Sequence, residues 1–184
     1  MKEPDSLGPV ARFLIADHRR LDELLQRATA NPADIDRTAY AAFRAGLLKH
    51  IAMEEKVLLP AAQRARRGTP LDVAAKLRLD HGALAALLVP TPTPAIVAAL
   101  RAVLAAHNPL EEDAGGVYEV CETLAGADAD ALMATLRATP EVPVHAHVDG
   151  PRIVAATQRA LARAGYDLDI TDESHAGGEE GAHR

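Results

Sequence analysis

Two stretches of this sequence pair a histidine with a carboxylate four residues further on: His50-Ile51-Ala52-Met53-Glu54-Glu55 and His107-Asn108-Pro109-Leu110-Glu111-Glu112. Residues four apart on an α-helix lie one above the other on the same face. Each stretch therefore points one imidazole and one carboxylate the same way. Imidazole suits iron, zinc and copper, and carboxylates bridge such cations or balance their charge. A nitrogen and an oxygen donor on one helix face, supplied twice, is how a helix bundle builds a two-metal site.

A second pair of motifs precedes these. Asp17-His18-Arg19-Arg20-Leu21-Asp22-Glu23-Leu24-Leu25 and Asp80-His81-Gly82-Ala83-Leu84-Ala85-Ala86-Leu87-Leu88 share the pattern D-H-x-x-L-x-x-L-L. The order along the chain is DH, HxxxEE, DH, HxxxEE, an internal repeat of a two-helix unit. Such a duplicated hairpin buries its polar residues by closing on its own copy.

The elements that must position these residues follow from the apolar spacing. Helix one starts near Pro9, carries Leu14, His18, Leu21, Leu25 and Ala28 on one seam, and ends at Asn31-Pro32. Asp34 or Asp36 caps helix two, whose stripe is Tyr40, Phe43, Leu47, His50, Glu54, Val57 and Ala61. Pro60 inside it removes a backbone donor and predicts a kink, and Gly68 follows as a stop. Thr69-Pro70 signals the start of helix three, through Ala74, Leu77, His81, Leu84 and Leu88. Thr93-Pro94 starts helix four, with Leu100, Leu104, His107, Glu111, Ala114, Tyr118 and Cys121 on its stripe and Gly126 at its end. Pro109 and the Gly115-Gly116 pair predict a kink or break in it near the site. Beyond it, Asp128 to Ala138 reads as a short helix, Pro140 to Val148 as an extended segment, and Pro151 to Gly165 as a last helix.

The sequence thus predicts an all-α protein. A left-handed antiparallel four-helix bundle of two duplicated hairpins covers residues 1–126, a C-terminal helical extension 127–172, and a disordered tail 173–184. His18, His50, Glu54, His81, His107 and Glu111 fall on the inward stripes, where Leu is expected. A buried, unpaired carboxylate costs on the order of several kcal/mol or neutralises by shifting its pKa. Such positions left uncompensated would exhaust a net stability of about 5–15 kcal/mol. A pair of divalent or trivalent cations compensates them directly. The alternative is a buried His–Glu hydrogen-bond network without metal.

The pattern H…HxxxE…H…HxxxE resembles the hemerythrin-like, or HHE cation-binding, domain over roughly Val10 to Ala125. The resemblance implies a non-haem di-iron centre with two iron ions per chain. His18 and His50 would serve one iron, His81 and His107 the other, and Glu54 and Glu111 would bridge them. It also implies binding or sensing of oxygen, nitric oxide or iron. Two departures bear on this. The oxygen carriers have a fifth histidine one turn from the third-helix histidine, where this chain has Leu77 and Ala85, and they have Asp at a longer spacing where it has Glu111. The second iron is therefore expected to have an open position or a substitute donor. Tyr118, further along the stripe, is a candidate metal ligand. Its other role is core packing with the hydroxyl bonded to a carboxylate.

The neighbours of these residues have roles of their own. Asp17 and Asp80 either accept the second N–H of a ligand imidazole or lie exposed. Glu55 and Glu112 are one step off the stripe, in solvent or supporting a ligand. Cys121 is a small core residue. His145 and His147 are a surface pair, a metal pair or a lid, while His175 and His183 carry no argument.

The whole chain sets the outer limits. Its 184 residues suffice for one domain with a real core. A net charge of -6 provides no basic field for nucleic acid or an anionic membrane. No apolar run reaches a membrane span, and no leader is visible after Met1. The single Cys121 suits a reducing compartment, so the expected location is the cytoplasm. A small diatomic ligand or peroxide is the expected partner, and no motif names a protein partner. Three functions compete: a di-iron binding or sensing module, a di-iron enzyme acting on peroxide, and a zinc-loaded structural bundle.

Overall fold

Pro9 opens the first helix of the computed structural model, which describes residues 7–31 and 34–171. All regular structure among those residues is helical. In α1 (Pro9–Ala28) the missing N–H of Pro9 falls where a helix has no acceptor for it. The N–H groups of Val10 and Ala11 donate to the Glu122 carboxylate at 2.8 and 3.0 Å, so a distant helix supplies the cap. α1 ends at Ala28, before Asn31; Pro32 lies outside the described residues. α2 (Arg37–Met53) is capped by Asp36, which accepts from the N–H groups of Thr38 and Ala39.

α2 runs into a π-helical turn (Glu54–Leu58) and then α3 (Leu59–Ala65). Pro60 accounts for this: it cannot donate to the carbonyl four residues back, and its ring clashes with that carbonyl in a regular α-helix. A π turn adds a residue to the ladder and moves the buried face on by one step. The fully buried positions are accordingly Leu58, Leu59 and Ala62, whereas Val57 and Ala61 of the expected stripe are only half-buried.

α4 (Ala74–Leu87) starts later than the Thr69-Pro70 signal predicts, and no side chain caps it. Arg66 holds the Pro70 carbonyl, and the Ala74 N–H goes to the Leu71 carbonyl, so a turn precedes the helix. α5 (Pro94–Glu112) has the expected Thr93 cap, which accepts from the Ile96 N–H at 3.2 Å. The expected fourth helix is then broken, and α6 (Val117–Ala125) follows a turn in which Ala114 is exposed. Gly115 has φ +81°, and a Cβ on Gly116 would lie 2.7 Å from the Glu111 carbonyl oxygen. Only glycine meets both demands cheaply.

A short 3-10 turn leads into α7 (Ala129–Arg137), and α8 (Pro151–Arg163) ends the described regular structure. Residues 140–149 are irregular and strap across the helices. Arg44 donates to the His145 carbonyl at 2.6 Å, and the Val148 N–H to the Val89 carbonyl at 3.1 Å. The tail expected to be disordered, with His175 and His183, lies outside the described residues.

α1 packs on α2 and α6, α4 on α5 and α8, and α7 on α1. Two apolar clusters result. One holds Leu21, Leu25, Tyr40, Phe43, Leu84, Leu87, Leu100 and Leu161. The other holds Val10, Leu14, Met53, Leu58, Leu77, Tyr118, Cys121 and Leu136. His18, His50 and His81 each sit where the buried stripe of their helix passes from one cluster to the other, and His107 follows Val103 of the first cluster, four residues on. The polar residues therefore form a layer between two apolar caps. No described helix is long and apolar enough to cross a membrane.

Candidate metal centre

α1, α2, α4 and α5 each bring one histidine to this layer, and His18, His50, His81 and His107 are all buried. The rings fall in two pairs. His18 and His50 have centroids 4.4 Å apart, and His81 and His107 4.9 Å apart. Glu54 lies between the pairs, with Oε1 3.2 Å from His50 Nε2 and Oε2 3.1 Å from His81 Nε2. Glu111 also reaches both: its Oε2 is 3.2 Å from His107 Nε2 and 3.6 Å from His18 Nε2, and its Oε1 is 3.9 Å from His81 Nε2. The donor atoms of Glu54, His81, His107 and Glu111 all lie within 4.8 Å of one another, as do those of His18, His50 and Glu54.

The nitrogens facing away from this centre are equally ordered. His50 Nδ1 is 2.9 Å from Asp17 Oδ2, and His107 Nδ1 is 3.4 Å from Asp80 Oδ2. His81 Nδ1 is 2.8 Å from Glu55 Oε1, and His18 Nδ1 is 2.5 Å from Glu112 Oε1. The aspartates serve the histidine of their own repeat, and the second glutamates serve the histidine of the other. A carboxylate on Nδ1 fixes the tautomer and turns a neutral Nε2 lone pair toward the centre. The doubled glutamate in HxxxEE is thereby explained: one carboxylate enters the centre and its neighbour turns to the adjacent helix.

The electrostatics of the centre are those of a site short of positive charge. Burial lowers the basicity of His50, but the Glu54 and Asp17 carboxylates outweigh it and raise the imidazole to about 10. His81 and His107 rise to about 9 against the same burial, through Glu54 and Glu55 for the first and Asp80 and Glu111 for the second. Glu54 is held well below its usual range because the His50 and His81 charges overcome its burial. Glu111 is raised, by burial and by the Glu54 charge beside it. Glu54 Oε2, His81 Nε2 and Glu111 Oε1 are buried without a hydrogen-bond partner; the first two approach each other without hydrogen-bond alignment. Buried polar atoms are rarely left so. Metal cations fit these residues, since they would take the place of the imidazole protons and engage the orphaned atoms.

Tyr118 also enters the centre. Its hydroxyl donates to Glu54 Oε1 at 2.5 Å and lies 3.1 Å from Glu111 Oε2, 3.0 Å from His18 Nε2 and 3.2 Å from His50 Nε2. The phenol thus joins the His18–His50 pair. The sequence leaves Tyr118 two roles, a substitute donor for the second iron or core packing with its hydroxyl on a carboxylate, and the hydroxyl lies on Glu54 beside the first pair. The broken helix accounts for this placement, because α6 leaves the line of α5 and packs on α1.

Residues 10–114 match the family model of the hemerythrin HHE cation-binding domain. The chain belongs to this family. Comparison with curated proteins and with solved structures finds no match. As a hemerythrin HHE domain the chain is a cation-binding protein, and the matched stretch contains all four histidines and both HxxxEE glutamate pairs. It ends before Tyr118.

His145 and His147 stand apart from this centre. His145 is exposed, and His147 Nδ1 is 3.4 Å from the Val89 carbonyl. Neither is among the residues grouped at the centre, and the His147 ring packs 6.1 Å from that of Tyr40. Cys121 is a buried core residue of the second cluster, as expected. Of the two roles open to Asp80, the structure shows the contact with an imidazole and not the exposed charge: it is fully buried, and His107 and Lys76 share its carboxylate. The sequence analysis missed Lys76, which the i,i+4 spacing to Asp80 could have signalled, and the Glu122 cap, for which no local pattern gives a signal.

Proposed function

We propose that this hemerythrin-like chain holds two iron ions, one at His18 and His50 and one at His81 and His107, with Glu54 and Glu111 shared between them and Tyr118 a ligand of the first. One observation carries this reading. Every one of the four imidazoles has Nδ1 on a carboxylate and Nε2 turned to a common centre that two further carboxylates span. A hydrogen-bond network without metal does not require all four rings to be turned alike, nor does it leave buried atoms of Glu54, His81 and Glu111 unpaired. The opposite sense in which α1 and α2 pass between the apolar clusters supports an antiparallel four-helix bundle of two hairpins, with residues 127–172 as an extension packed against it.

Iron so held supplies binding of small diatomic molecules and one-electron chemistry. The chain's own groups do the rest. Asp17, Asp80, Glu55 and Glu112 hold the rings. Tyr118 fills the space before His18 and His50, so an external ligand binds at the His81–His107 side, where Leu77 and Ala85 offer no donor. The function that fits is binding or sensing of oxygen, nitric oxide or iron. Tyr118 supports a second reading, turnover of peroxide, since phenolate ligation favours the ferric state over ready reversible oxygen binding.

Metal analysis of protein purified without chelators, with visible spectra in air, after reduction and after peroxide, tests this. About two irons per chain and a spectrum that changes on reduction are expected. Zinc in place of iron, with no visible band, would assign the bundle a structural role. Steady consumption of peroxide would select the enzymatic reading over the sensing one.

A further inference from the structure

The two repeats differ beside the centre. In the first, Asp17 takes a second hydrogen bond at Oδ1 from Arg20 Nε, 2.7 Å away and exposed on the same helix. The matching residue in the second repeat is Ala83, which is fully buried and carries no charge. Asp80 takes its second bond from the other direction, from Lys76 Nζ at 2.6 Å. In the first repeat the residue matching Lys76 is Phe13. The second repeat has thus moved its cation from one side of the aspartate to the other.

The docking of α8 on α4 gives the reason. Ala83, Leu84 and Leu87 share a core cluster with Leu161, Ala164 and Ile170, and a guanidinium at residue 83 would be driven into that apolar contact. The same docking anchors the replacement. Lys76 Nζ donates to the Ala164 carbonyl at 2.8 Å, lies 3.4 Å from the Tyr166 hydroxyl, and sits 4.5 Å from the centroid of its ring. One ammonium therefore ties the end of the C-terminal extension to the buried carboxylate behind His107. The Asp80–His107 contact, at 3.4 Å, is longer than the 2.9 Å of Asp17–His50, so it has less margin if Asp80 moves.

We infer that Ala164 and Tyr166 of the C-terminal segment position His107 through Lys76 and Asp80, making the extension part of one half of the metal centre. Lys76 and Tyr166 are positioning residues here and touch no metal. The inference rests on the assignment of His107 as a ligand, and Ala164 and Tyr166 lie beyond the stretch, 10–114, that matches the family. The charge and the cation–π contact both matter, so Lys76→Arg retains the link and Lys76→Met breaks it while keeping the apolar stem over the surface.

The test uses the full chain in two states. In metal-free protein, nitrogen-edited NMR of the imidazoles reads the two halves separately. Lys76→Met and Tyr166→Leu should move the His107 ring resonances and leave His50 in place, Arg20→Met should do the reverse, and Lys76→Arg should keep the parent spectrum. In the zinc-loaded protein, chelator competition should show one of the two ions weakened about 10-fold or more by Lys76→Met, the scale typical of a lost outer partner. An unchanged His107 ring in Lys76→Met overturns the inference. So does equal movement of His50 and His107, or equal weakening of both ions, which would assign Lys76 to general stability. A parent protein that binds no zinc, but whose His107 ring still responds selectively to Lys76→Met, would sink the metal assignment and leave the positioning chain standing.

Discussion

Tyr118 Oη has two imidazole nitrogens and two carboxylate oxygens around it, and its own proton goes to Glu54. Burial and those two carboxylates push the phenol well above its ordinary value, so without a cation it stays neutral. A ferric ion beside it reverses that balance, because the ion becomes the largest local charge. Tyr118→Phe in ferric protein is therefore expected to lose a visible charge-transfer band at unchanged iron content. An unaltered spectrum would remove Tyr118 from the ligands. The histidines make a second prediction with a defined sign. The surrounding carboxylates raise His50 to about 10 and His81 and His107 to about 9, from the 6.5 of an ordinary imidazole. Raised imidazoles stabilise the metal-free fold fully below about pH 6.5, and that contribution disappears as the pH climbs through 9 to 10. A bound cation needs neutral nitrogens, so metal uptake strengthens over the same range. Denaturant unfolding of metal-free protein at several pH values should show stability falling across this window, with a smaller fall after loading. Equal slopes would show that metal displaces none of these protons.

Each HxxxEE motif meets an interruption: the first runs into a π turn that begins at Glu54 itself, and the second is followed by a glycine turn before α6. Both let the chain leave its helical line at or just beyond two consecutive carboxylates that reach different neighbours. At the glycine turn the margin is small. Gly116→Ala puts a Cβ 2.7 Å from the Glu111 backbone oxygen, and the backbone on either side must move. The cost is expected at about 1–3 kcal/mol, typical of overpacking, with a shift in Glu111 and Tyr118. Gly82→Ala is the matching control in the interior of α4, where an added Cβ meets nothing within 4 Å. It should be neutral or stabilise by about 0.5–1 kcal/mol through helix propensity. Thermal melting and metal content of the two variants check this pair. Equal behaviour would show that the turn does not govern the centre.

Two apolar clusters with a charged layer between them make a molecule whose cohesion depends on what fills that layer. Without metal the carboxylates of that layer are balanced by the imidazole protons and, at its edge, by Arg20, Lys76 and Arg78. A metal that binds the folded chain alone stabilises it by about 2.7 kcal/mol at a free concentration 100 times its Kd. Chelator-treated protein should accordingly melt at a lower temperature and recover as metal is added back. His50→Ala and His107→Ala should each lose metal and most of that recovery. A His50→Ala protein with full metal content and the parent melting temperature would show that His50 is no ligand.

Spacing within single helices was enough to determine the all-helical character and to place the four histidines, Glu54 and Glu111 on inward stripes, and their order along the chain carries the resemblance to the family. Periodicity states which residues of one helix share a face, and that information is local. It even located the break at Gly115-Gly116 and the irregularity at Pro60. Relations between helices are not local, and the tertiary structure decided those. It set Tyr118 against His18 and His50 because α6 leaves the axis of α5. It crossed Glu55 to His81 and Glu112 to His18, so that each repeat completes the other. It capped α1 with Glu122 and tied Asp80 through Lys76 to a segment far along the chain. The sequence holds the donors, but which oxygen faces which imidazole depends on how the helices pack and where each one breaks.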